Sequence, residues 1–103
     1  MDELYQAEWC PHSRRVRQRL TELGVSFIAR PVPAQPADRE ELRRKTGSDE
    51  IPALLLQDGT AINKDANEII DYLDQRYNER TDSRQHRALA DEHAGTYRRP
   101  SRV

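Results

Sequence analysis

Between Leu4 and Ala29 the chain reads as a strand, a helix and a strand in immediate succession, and that order leaves few folds open. Leu4-Tyr5-Gln6-Ala7 is a brief strand. Pro11 suits the first position of a helix, where its missing N–H would have no partner anyway. From Pro11 to about Leu23 the apolar residues Val16, Leu20 and Leu23 recur at spacings of four and three. Arg14, Arg15, Arg17, Gln18 and Glu22 fall on the other side, which is the pattern of an amphipathic helix. Gly24 stands where a left-handed C-terminal residue is common, and Val25-Ser26-Phe27-Ile28-Ala29 reads as a second strand bounded by Pro31 and Pro33. Two strands joined by one helix predict a parallel pair with a right-handed crossover.

The proline-rich connector from Pro31 to Pro36 leads to a polar helix over about Ala37 to Lys45, acidic early and basic late, as the helix dipole favours. Leu42 is its one obvious buried contact, and Gly47 is the expected stop. Ala53-Leu54-Leu55-Leu56-Gln57 and Thr60-Ala61-Ile62 flank Asp58-Gly59, a hairpin signal in which both turn residues accept positive φ. Asp65 to about Tyr77 then carries Ala66, Ile69, Ile70, Leu73 and Tyr77 at helical spacing, a closing helix with one stripe on the sheet. Residues 1–77 thus form one domain. Residues 78–103 hold six arginines, two histidines and few large apolar side chains. They read as a polar extension, partly helical between Ser83 and Ala94 with a stop at Gly95, then disordered.

Composition excludes several classes. With 103 residues the chain suits a single domain, and a net charge of -1 gives no general attraction to nucleic acid or an anionic membrane, despite fifteen arginines. One cysteine rules out an internal disulfide. The start Met1-Asp2-Glu3 lacks the pattern of a signal peptide, and no apolar run approaches the roughly 20 residues of a membrane span. A cytoplasmic protein is the expectation, with no nucleic-acid or membrane partner. Cys10, His12, His86 and His93 have no zinc-site spacing, so no metal is expected.

That single cysteine falls at the predicted helix start. Unpaired N–H groups and the positive end of the helix dipole favour a thiolate there, and Arg14, Arg15 and Arg17 add positive charge within two turns. A reactive thiol is the chemical inference; a small buried hydrophobe is the alternative reading of a free cysteine. Tyr5 and Trp9 read as core or rim.

Cys10-Pro11-His12-Ser13, Ile51-Pro52-Ala53-Leu54, Asp58-Gly59 and Asp65-Ala66 leading into Ile69-Ile70-Asp71-Tyr72-Leu73 together resemble two related groups. These are the glutaredoxin-like branch of the thioredoxin fold and the amino-terminal domain of glutathione transferases. The resemblance covers about residues 3–77 and implies an α/β thioredoxin-like fold with a four-stranded mixed sheet. It also implies thiol-disulfide exchange, with Cys10 as nucleophile, Pro11 fixing the turn and His12 at the same mouth. Ser13 stands where dithiol members place a second cysteine, which implies a monothiol route resolved by an external thiol. Ile51-Pro52 would be a cis bond whose main chain pairs with glutathione, and Asp65 would meet its amino group while the helix amides hold a carboxylate. Ala66 replaces a frequent serine, Glu8 replaces a frequent basic residue, and Glu50 adds negative charge near the ligand.

No bound cofactor is implied; glutathione or another low-molecular-weight thiol would be the co-substrate, and disulfides or glutathionylated proteins the substrates. The iron–sulfur class of monothiol glutaredoxins carries Cys-Gly-Phe-Ser, which differs from the sequence here. A monomer or weak dimer is expected. A non-catalytic binding or scaffold module and a stand-alone transferase amino-terminal domain are the alternatives; true transferase activity is disfavoured, because that family builds its electrophile pocket with a larger helical second domain and 26 residues follow Tyr77.

Overall fold

A computed structural model of the chain describes residues 1–63 and 65–97. The elements run β1 (Glu3–Gln6), α1 (Pro11–Glu22), β2 (Ile28–Pro31), a 3₁₀ turn (Pro36–Asp38), α2 (Glu40–Thr46), β3 (Ala53–Leu55), β4 (Ala61–Ile62), α3 (Ala66–Arg76) and α4 (Ser83–Tyr97). They build a four-stranded sheet in the order β2-β1-β3-β4. β1 pairs in parallel with β2, Leu4 opposite Ala29, and antiparallel with β3, Leu4 opposite Leu54; β3 and β4 form the hairpin.

Alternation along the strands sorts the core into two layers. Leu4 and Leu54 point to the face where α1 and α3 bury Val16, Leu20, Ile69 and Leu73. Tyr5 and Ala53 point to the opposite face, where Leu42 of α2 packs on them. Leu42 is the one buried residue of α2, as its sequence suggests.

The first strand-helix-strand unit forms as the spacing predicts, but β2 begins at Ile28 rather than Val25. The cause is the end of α1. Gly24, at φ 68°, donates to Thr21 O at 3.0 Å, and Val25 N–H reaches back to Leu20 O at 2.9 Å. This paired closure satisfies the last helix carbonyls and draws Val25 onto the core beside Leu20. Val25 is therefore cap, not strand.

Two further boundaries move. The helix expected from Ala37 divides into the 3₁₀ turn and α2, because Arg39 between them takes ψ 59°. In the hairpin only Gly59 has positive φ, at 92°. The turn is thus not the two-residue mirror-image type. Gly59 N–H donates to Leu56 O at 3.0 Å and Leu56 N–H to Thr60 O at 2.8 Å, which closes a three-residue loop over Gln57, Asp58 and Gly59. Asp58 helps by accepting the Thr60 N–H at 2.9 Å.

α4 runs on through Gly95 to Tyr97 instead of stopping at Ala94. With Leu89 nearly half exposed, apolar burial does not hold this helix. Charge does. Glu22, placed on the solvent side of α1 by its spacing, is buried and accepts from Arg19 at 2.7 Å and from Arg87 of α4 at 2.8 Å. Arg80 N–H donates to Glu22 O at 2.9 Å, so the connector is anchored at the same residue. The disorder expected of residues 98–103 falls outside the described residues.

Candidate functional site

Cys10 closes the turn between β1 and α1. Its N–H donates to Ala7 O at 3.1 Å, its backbone is extended at φ -79°, ψ 117°, and Pro11 opens the helix behind it. Cys10 is thereby the N-cap of α1, the position that Pro11 marks in the sequence. Its Sγ accepts the Ser13 N–H at 3.4 Å, so the sulfur takes the place a capping oxygen usually fills. The sulfur thus faces the N–H groups and the positive dipole end at the tip of α1.

Ser13 is fully buried, and its Oγ accepts the Ala7 N–H at 3.4 Å. It stabilises the turn from inside. The arginines disperse: Arg15 donates to Asn67 Oδ1 at 2.7 Å, Arg17 to Gln6 Oε1 and to Ala7 O, with Glu8 Oε1 3.3 Å away. Arg14 lines a groove between α1 and α4. Cys10 itself retains 6% of its surface.

On either side of Cys10 in the chain, Trp9 and His12 line a cleft of about 500 Å³. Ile51 and Pro52 line it too, joined by a cis peptide bond, and Asp65 and Ala66 complete that wall. The structure therefore brings His12, Ile51, Pro52, Asp65 and Ala66 to one cavity, whereas Pro11 is exposed on the separate groove between α1 and α4 and Ser13 is buried behind the turn. Asp65 caps α3: its Oδ1 accepts the Glu68 N–H at 2.9 Å. Trp9 stays 66% exposed at the rim, whereas Tyr5 belongs to the core. Burial and its hydrogen bond to Glu41 Oε2, 3.0 Å long, push the Tyr5 phenol up to about 12.

Ala34, Pro36, Arg39 and Glu50 form the rest of the wall. Sequence reasoning passes over Arg39, which sits in a run of charges. It is nonetheless buried, at 5% exposure, and its guanidinium ties three carbonyls: Pro33 at 2.8 Å, Asp49 at 2.9 Å and Ala34 at 3.1 Å. Those bonds hold the connector after β2 against the segment that leads into Ile51-Pro52. Nothing in the local pattern signals this. Among the described residues no three His, Cys, Asp or Glu side chains gather as metal ligands.

A mixed sheet in the order β2-β1-β3-β4, two helices on one face, one on the other and a cysteine at the tip of the first helix define a thioredoxin-like domain. Residues 4–81 match the family model of the glutathione S-transferase N-terminal domain, and the chain belongs to that family. It is also 33% identical over 54 residues to glutaredoxin 3 of Escherichia coli (strain K12), across 52% of this chain and 65% of that protein.

Among solved structures, a glutathione S-transferase domain-containing protein from Marinobacter aquaeolei VT8 superposes with a TM-score of 0.63 at 31% identity. The match covers 74% of this chain and 38% of that one. A glutathione S-transferase from Methylobacillus flagellatus KT, solved with glutathione bound, gives 0.64 at 28% identity, over 74% of this chain and 37% of its own. The chain thus spans less than two thirds of each of these relatives.

Proposed function

We propose that the domain is a monothiol thiol-disulfide oxidoreductase of glutaredoxin type. The observation that carries this reading is Cys10 as N-cap of α1, one residue after Trp9 and two before His12, both of which line a cleft together with Ile51, Pro52 and Asp65. Relatives named as glutaredoxins, and a neighbour solved with glutathione bound, support glutathione as the thiol.

In the proposed cycle the Cys10 thiolate attacks the glutathione sulfur of a mixed disulfide. The old S–S bond breaks, the substrate thiol leaves and takes a proton from solvent, and Cys10 is left joined to glutathione. A second glutathione thiolate attacks that glutathione sulfur, which restores the Cys10 thiolate and releases oxidised glutathione. Ser13 supplies no thiol, so no internal disulfide competes. Trp9 and His12 border the incoming disulfide, and Ile51 offers main chain to the peptide part of the thiol. Asp65 and the start of α3 offer a carboxylate and free amides to its amino-acid end.

Turnover of a small glutathione mixed disulfide by wild type and by Cys10→Ser tests this directly. Loss of turnover in the serine variant is expected, and equal rates would remove Cys10 from the chemistry. A second reading, a binding module without turnover, draws on the 6% exposure of Cys10. It predicts glutathione binding in both proteins and catalysis in neither.

A further inference from the structure

We propose that the cleft selects a low-molecular-weight thiol carrying less negative charge than glutathione, one whose terminal carboxylate is amidated or replaced by an amine. This rests on the reading of the cleft as a thiol site. The argument is one of charge.

Two carboxylates, Glu50 and Asp65, line the cavity. The single guanidinium among its described lining residues is that of Arg39, each of whose three nitrogens already donates to a backbone carbonyl. His12 contributes an imidazole, a cation only when protonated. The Asp65 carboxylate spends one oxygen on the start of α3. Glu50 has no such engagement: its side chain is exposed on the cleft rim, and no hydrogen bond or ion pair among the described residues involves its carboxylate. Among the described lining residues two carboxylates, Glu50 and Asp65, thus stand against one guanidinium, Arg39, whose nitrogens are all engaged by carbonyls, so this part of the wall carries a net negative charge.

Glutathione brings two carboxylates and one ammonium group. The amide N–H groups at the start of α3 suit one carboxylate. The second meets a lining in which Glu50 is exposed, and in a partly solvated cleft the repulsion between the two carboxylates is weakened but not abolished. Removing that ligand charge removes the repulsion, and an amine in its place turns it into attraction.

The test is the binding of S-methylglutathione and of its glycine amide to the whole chain, read by the fluorescence of Trp9, which is the chain's one tryptophan and lines the cleft. Because the sulfur is methylated, binding is measured apart from any exchange at Cys10. At low salt the amide is expected to bind about three- to tenfold more tightly, the effect of one unit charge several ångström away in a partly solvated site. Glu50→Gln is expected to bring the two within about twofold, and added salt to do the same in wild type. Equal or tighter binding of the free acid would overturn the preference while leaving the thiol site standing. A preference unchanged in Glu50→Gln would overturn its assignment to Glu50. Binding of neither compound would overturn the thiol site and the preference together.

Discussion

Replacing Arg39 by methionine keeps most of the side chain's apolar stem and deletes its three hydrogen bonds to Pro33 O, Ala34 O and Asp49 O. Hydrogen bonds from a charged donor contribute roughly 1.5–3 kcal/mol each where they are well buried. Here the acceptors lie beside an open cleft, so water can replace part of what is lost, and about 1 kcal/mol per bond is the more defensible figure. The expected loss is about 3 kcal/mol, a large share of the roughly 5–15 kcal/mol that holds a domain of this size. Urea denaturation followed by far-UV circular dichroism should then place the midpoint about 1.5–3 M lower, for a slope of about 1–2 kcal/mol/M. Arg39→Lys, which retains the charge but not the fork, should fall between the two. The same bonds hold the connector at Ala34 against the segment that leads into Glu50 and Ile51, all of which line the cleft, so thiol binding should weaken more than turnover at saturation slows. An unfolding free energy within about 0.5 kcal/mol of wild type, the range of an ordinary surface change, would refute the claim that Arg39 clamps these segments.

Three more outcomes follow from the packing. Hydrogen bonds from Arg87 and Arg19 hold the Glu79 carboxyl at about 2, below its ordinary 4.5. Burial pushes the Glu22 carboxyl up, but bonds from Arg19, Gln18 and Arg87 outweigh it and leave it lowered. Both groups favour the folded state above the unfolded carboxylate value and lose that contribution as pH falls through their lowered folded values, about 2 for Glu79; the protection of α4 amides, corrected for their intrinsic exchange rates, should fall across that window in wild type and be low throughout in Arg87→Ala. The Tyr5 phenol, raised to about 12, favours the folded state at every pH below its ordinary 10 and ceases to do so as pH climbs through 12, so tyrosinate absorbance in wild type should show one late titration that Tyr5→Phe lacks. Leu42→Ala should cost about 2–4 kcal/mol by thermal or urea melting, because Leu42 is 1% exposed and is the anchor of α2 on its face of the sheet.

What the sequence makes legible, and what it hides, divides by the range of the forces involved. The spacing of Val16 and Leu20, and of Ile69 and Leu73, announces α1 and α3 because a buried stripe is a local periodic signal. Gly47 and Asp65 likewise mark a helix end and a helix start through their own backbone and side-chain chemistry. Glu22 is different. Its spacing on α1 says solvent, and its burial is tolerated because Arg87, 65 residues further on, joins Arg19 and Gln18 of its own helix in bonding its carboxylate. Val25 alternates like a strand residue, yet the end of α1 claims it first.

The candidate site divides in the same way. Pro11 discloses Cys10 as the residue at a helix tip, and Ile51-Pro52 and Asp65 come to one cleft as the family resemblance implies. The structural use of Ser13 depends on a turn that folds it inward, and the clamp at Arg39 depends on three carbonyls from separate segments. No spacing encodes either. Of the arginines read as charge for the sulfur, Arg15 bonds Asn67 and Arg17 bonds Gln6 beside Glu8, partners that periodicity does not foresee.

The outer margins of the sheet carry a consequence for solubility. β2 is an edge strand whose four residues are all exposed, and it ends in Pro31, with charged Arg30 before it. A proline offers no N–H to a neighbouring strand, and a guanidinium on the rim resists stacking against a copy of itself. The opposite margin, β4, is two residues long. Neither side presents the long, flat, unpaired ladder on which separate molecules zip together, so crowded copies of this domain have little main chain with which to nucleate a fibril.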